Sequence, residues 1–89
     1  MGISETSYSL IQIELTDEIH IFKGQFMKGN CSLRMYSMCE KVCRLNTRTI
    51  MIERCLNDAE IKNTAKIMGA TVCEICKNRL EEPYKEYLY

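Results

Sequence analysis

The chain has no tryptophan, one histidine, one proline and four glycines in 89 residues, and its twelve basic side chains are balanced by twelve acidic ones. Each scarcity removes a possibility. So little proline and glycine argues against a flexible linker or a disordered segment. A formal charge of zero removes the overall field that draws a protein to nucleic acid or to an acidic membrane. No apolar run approaches the roughly 18 residues that span a bilayer, and no apolar leader core follows the start. The single histidine, His20, falls on the polar side of an alternating segment, so no base stands ready to activate a nucleophile. Neither a glycine-rich phosphate loop nor a recognisable pair of catalytic carboxylates is present. Catalysis is not expected.

What is present is a globular composition, 46% hydrophobic and 27% charged, in a length that fits one domain over residues 1–89. A core this small is marginal without a disulfide, a metal or a partner subunit. The charge is unevenly spread. Residues 1–20 hold four acidic and no basic groups, and residues 21–55 hold seven basic against Glu40 and Glu53. Such a basic middle is either a solvated surface with internal ion pairs or a patch for an anionic partner. The opening Met1-Gly2-Ile3-Ser4-Glu5-Thr6 fits the loose myristoylation pattern. The acidic residues that follow supply no second anchoring signal, so no membrane association is expected.

The pattern divides the chain into three parts. Over residues 1–30, Tyr8 to Leu15 alternates, with Ile11, Ile13 and Leu15 on one side and Gln12 and Glu14 on the other. Thr16-Asp17-Glu18 then turns the chain, and Ile19 to Met27 resumes with β-branched and aromatic residues, which predicts a β-hairpin. The basic, cysteine-containing middle, 31–56, is ambiguous at first. Leu33, Tyr36, Cys39, Val42 and Cys43 recur at helical spacing, while 31–38 also reads as a strand. Thr47 to Cys55, around Ile50-Met51-Ile52, predicts a third strand.

Residues 57–89 carry the clearest signals. Asn57 with Glu60, and Thr71 with Glu74, each fit a helix capping box, and Gly69 suits a left-handed helix end. Two helices joined by a tight turn are predicted for about 58–82, followed by a tail bearing Tyr84, Tyr87 and Tyr89. The expected fold is α+β, an N-terminal β-hairpin plus a third strand with a C-terminal helical hairpin.

Six cysteines occur between Cys31 and Cys76. Three states fit their spacing. Cys39, Cys43, Cys73 and Cys76 form two close pairs, and four thiolates converging this way would make a tetrahedral zinc site. In a reducing compartment the thiols are equally at home as buried apolar groups. An even count in a short chain also fits a disulfide framework, were the domain secreted. Cys31 and Cys55 are left over by the zinc reading.

Within the third part, Asn63 to Leu80 resembles the helix-turn-helix motif of bacterial and phage DNA-binding proteins. Ala65, Gly69 and Ile75 stand at that motif's small, turn and aliphatic positions. The resemblance covers about a fifth of the chain. It implies a DNA-binding regulator, with Lys66, Lys77, Arg79, Lys41, Arg44, Arg48 and Arg54 as phosphate contacts. The outward positions of its second helix would be Thr71, Val72, Cys73, Cys76, Lys77 and Leu80, of which only Lys77 is a base-reading type. A helix so apolar on several sides is buried or set against another protein. The function expected first is therefore a small regulatory domain of the cytoplasm or nucleus, binding a protein partner or a second copy, with zinc one of the three states open to its cysteines. Val72, Leu80, Tyr84, Tyr87 and Tyr89 are its expected contact residues.

Overall fold

The alternating segment forms β1 (Thr6–Ile13), and the second apolar run forms β2 (Ile19–Met27), paired antiparallel from Thr6 opposite Gln25 to Gln12 opposite Ile19. The computed structural model describes residues 5–81. Two further strands complete an α+β fold: the two-residue β3 (Asn30–Cys31) beside β2, and β4 (Thr49–Leu56) beside β1, giving the order β3-β2-β1-β4. The hairpin and the strand around Ile50-Met51-Ile52 are where the pattern placed them. Leu15 is not in β1. It sits 89% exposed in the turn, because the chain already reverses at Ile13, whose carbonyl receives the Thr16 and Asp17 amides.

The sheet is rolled. Edge strands of a flat four-stranded sheet stand roughly 14 Å apart. Here the edges meet, for Cys31 in β3 and Cys55 in β4 form a disulfide with their Cα atoms 5.6 Å apart. The Arg54 guanidinium donates to Asn30 Oδ1 at 2.9 Å, and the Cys55 amide donates to Ser9 Oγ at 3.3 Å. Alternation puts Ser7, Ser9 and Gly24 together on one face, where their small side chains leave room for this approach. The two cysteines left over by the zinc reading thus have a use of their own.

On the other face of the hairpin, Tyr8, Leu10, Ile19 and Ile21 form the core with the helices. α1 (Asp58–Met68) starts at the expected capping box: the Glu60 amide donates to Asn57 Oδ1 at 2.8 Å and the Asn57 amide to Glu60 Oε1 at 2.9 Å. It buries Ile61 and Ala65 and stops at Gly69, whose φ of 59° is left-handed. Full burial of Ile61 alone contributes on the order of 2 kcal/mol.

The second capping box does not form. Thr71 lies in a 3₁₀ turn (Gly69–Thr71), and its hydroxyl donates back to the Met68 carbonyl at 2.9 Å. The cause is tertiary. Val72 makes a parallel bridge with Ile19, and the Cys73 amide donates to the Ile19 carbonyl at 2.7 Å, so the chain stays extended there and α2 (Glu74–Glu81) begins later.

The ambiguous stretch is neither helix nor continuous strand. It lies along the outer edge of β2, where alternate carbonyls need donors. The Ser32 amide donates to Gln25 at 2.9 Å, Arg34 to Lys23 at 2.8 Å and Met38 to Ile21 at 2.7 Å. The chain then doubles back, with Tyr36 bridging Cys43 antiparallel. A Cβ on Gly24 would overlap the Ser32 carbonyl, so the close approach of this loop requires glycine. Among the described residues, no helix is long and apolar enough to cross a membrane.

Candidate metal centre

The hydrogen bonds along the outer edge of β2 gather one set of side chains. His20 comes from β2 itself. The Met38 amide, bonded to Ile21, sets Cys39 beside it, and the Cys73 amide, bonded to Ile19, brings in Cys73 from the opposite direction. Cys76 follows in the first turn of α2. The four donor atoms all lie within 4.8 Å of one another, and all four residues are buried, Cys76 completely. His20 Nδ1 is 3.5 Å from Cys39 Sγ and 3.7 Å from Cys76 Sγ. Zinc–sulfur bonds of about 2.3 Å and a zinc–nitrogen bond of about 2.0 Å, arranged tetrahedrally, require ligand separations of roughly 3.5 to 3.8 Å. His20, Cys39, Cys73 and Cys76 therefore form a buried tetrad that could hold a metal ion, and three sulfurs with one imidazole match the donor preference of zinc.

Its surroundings orient the donors. The far nitrogen of His20, Nε2, is 3.0 Å from Glu18 Oε1, so its N–H can donate to the carboxylate, the tautomer in which the Nδ1 lone pair faces the sulfurs. Burial, the largest influence on Cys39, pushes its thiol up. Hydrogen bonds from the Ser37 hydroxyl and the Lys41 amide, with contacts to Cys76 and Cys73, outweigh it and hold the thiol below its usual value. Burial, with negative charge on Cys39 and Cys73 adding to it, pushes Cys76 up to about 12. The pocket accommodates one thiolate but resists a second. A divalent cation among the sulfurs reverses that balance, because its own charge is the largest in the site.

Of the four cysteines expected to converge, three do. Cys43 is outside the group. Its place beside Cys39 depended on a helix over 31–46, whereas the turn after Cys39 sends Cys43 to pair with Tyr36. His20 was missed because it stands on the nominally polar side of β2, where it is nevertheless buried. The available signal was the combination of a sole histidine, a carboxylate two residues before it, and Cys73-x-x-Cys76.

The other expected contacts are scattered. Val72 and Leu80 are buried in the domain's own core with Cys73 and Cys76, so most of the second helix's expected outward face is directed inward. Ile75, the aliphatic position of the helix-turn-helix resemblance, is 36% exposed. Several cations are engaged locally. Lys77 bonds the Gly69 carbonyl, Arg44 the Leu33 and Arg34 carbonyls, and Arg54 the Asn30 side chain. Arg48 and Arg79 lie 3.9 Å from Glu14 and Glu40, while Lys41 and Lys66 are exposed. Tyr84, Tyr87 and Tyr89 lie outside the described residues.

Comparison with protein-family models, with curated proteins and with solved structures gave no match to this chain.

Proposed function

We propose that this protein is a non-enzymatic interaction domain whose helices are fastened to its sheet by one structural zinc ion held by His20, Cys39, Cys73 and Cys76. The observation that carries the reading is the buried tetrad itself. Four protein donors close a tetrahedral shell, which is the arrangement of structural zinc, whereas a catalytic zinc keeps a position open for water or substrate. The ligands also come from three separate parts of the chain: the hairpin, the loop along β2 and the start of α2. One ion there would join them and supply stability that a small core lacks.

Binding as the protein's role is supported by its surface. Met35, Tyr36, Leu45, Ile50, Met51 and Ile52 are exposed apolar side chains, several of them neighbours on β4 and on the loop along β2. Single exposed apolar residues are ordinary, but six on so small a domain offer apolar area that a partner could cover.

Native mass spectrometry of the full chain, purified under thiol-reducing conditions with zinc supplied, tests the proposal. The expected species carries one zinc per chain, and replacing His20 or Cys76 removes it. A folded, reduced chain that remains at its metal-free mass contradicts the reading.

A further inference from the structure

Beside the metal centre lies a cavity of about 580 Å³, walled by β2, the loop that carries Cys39, and α2. Lys23, Arg34 and Arg79 bring three cations to it, against the single carboxylate of Glu40. Arg79 is engaged with that carboxylate at 3.9 Å. Lys23 and Arg34 have no ion-pair partner among the described residues, although the bond between the Arg34 amide and the Lys23 carbonyl holds the two residues side by side. The remaining wall includes Met35, Tyr36 and Met38.

A second cavity of about 520 Å³, between α1 and α2, provides a contrast. Its Lys62 is paired with Asp58, and its Lys77 with Glu74 and the Gly69 carbonyl. Most of the positive charge there is already neutralised within the domain. In the first cavity it is left for something else.

Two free cations beside methionine and tyrosine describe the occupant. It carries negative charge and, next to it, an apolar side chain that polarizable methionines can pack around. Nucleic acid fits poorly, since backbone binding uses a run of Lys and Arg along a groove, whereas this cavity offers two unpaired cations with an apolar wall. The volume falls in the range of sites that enclose a few ligand groups.

We infer that this cavity is the docking site for an acidic peptide segment of a partner protein, with Lys23 and Arg34 receiving its carboxylates and Met35, Tyr36 and Met38 its neighbouring apolar side chain. This names the partner chemistry of the interaction domain proposed above and rests on that reading. The metal centre has a part in it. Cys39 lies in the loop that forms one wall and Cys76 in the helix that carries Arg79, so a metal ion held by both would steady the walls without being needed for the charges to meet.

The test is selection from a random dodecapeptide array with the zinc-supplied full chain and with a Lys23→Glu/Arg34→Glu variant, each sample checked for bound zinc by native mass spectrometry. The wild type is expected to select Asp or Glu adjoining Leu, Phe, Tyr or Met. The variant should bind those peptides roughly tenfold more weakly or worse. Absence of acidic selection by a zinc-loaded wild type, or equal selection by the zinc-loaded variant, overturns the inference while leaving the metal reading intact. A chain without zinc that still selects acidic peptides through Lys23 and Arg34 sinks the metal reading instead. Tighter binding of a labelled 20-base-pair duplex, lost in the same variant, would also overturn the peptide assignment.

Discussion

The Glu18 carboxylate stands 3.0 Å from Nε2 of His20, while Nδ1 of the same ring faces the sulfurs of Cys39 and Cys76. A carboxylate behind a ligating imidazole fixes its tautomer and raises its basicity. Glu18→Ala is therefore expected to weaken zinc binding by roughly tenfold or more without removing a ligand. Competition against a chromophoric chelator measures this. An unchanged affinity would mean that Glu18 merely neighbours the site.

Zinc uptake should release protons. The Cys76 thiol, which burial pushes up to about 12, holds its proton at neutral pH in the metal-free protein and must lose it to bind metal. A falling pH adds protons that compete for the sulfurs, so affinity should decrease from pH 8 toward pH 6. Titration in two buffers of different ionisation enthalpy would count the protons released, and a count of zero would contradict thiolate ligation.

The Cys31–Cys55 disulfide and the tetrad are separate devices. The disulfide joins the sheet edges across a sequence separation of 24 residues. Closing such a loop stabilises a fold by roughly 3 kcal/mol on the chain-entropy account. A Cys31→Ser/Cys55→Ser variant should lose stability of that order in urea denaturation yet bind one zinc as before. Loss of zinc along with the disulfide would show that the rolled sheet is required to assemble the site.

Gly24 couples the sheet to the loop that bears Cys39. A Cβ there would overlap the Ser32 carbonyl and push the loop from the β2 edge. Gly24→Ala should cost about 1 to 3 kcal/mol, as overpacking does, and weaken zinc binding as well. Thermal denaturation with and without a chelator would separate the two effects, and a variant as stable as the parent would contradict the packing seen here.

The features legible in the sequence are those set by near neighbours. Alternation from Tyr8 to Ile13 marks β1, and Asn57 with Glu60 marks the start of α1, because each signal acts within a few residues. The same logic misplaced the start of α2. Thr71 with Glu74 is a sound local signal, but the parallel bridge of Val72 with Ile19, through the bond of the Cys73 amide to the Ile19 carbonyl, overrides it. The two close cysteine pairs named three of the four candidate ligands, Cys39, Cys73 and Cys76, and wrongly added Cys43. His20 was harder to see, because the site assembles along the β2 edge, and spacing carries no record of which loop will cover a strand's free carbonyls. The apparent helical face through Leu33, Tyr36, Cys39 and Cys43 was the pattern of a loop whose amides serve β2.

X-ray absorption at the zinc edge addresses the central claim most directly, since it reports the number and kind of atoms bound to the metal. The account predicts three sulfurs at about 2.3 Å and one imidazole nitrogen at about 2.0 Å. Cys43→Ser should leave that spectrum unchanged, and Cys39→Ser should remove one sulfur. A shell of four sulfurs, or one made mainly of oxygen and nitrogen, would contradict a centre built from His20, Cys39, Cys73 and Cys76.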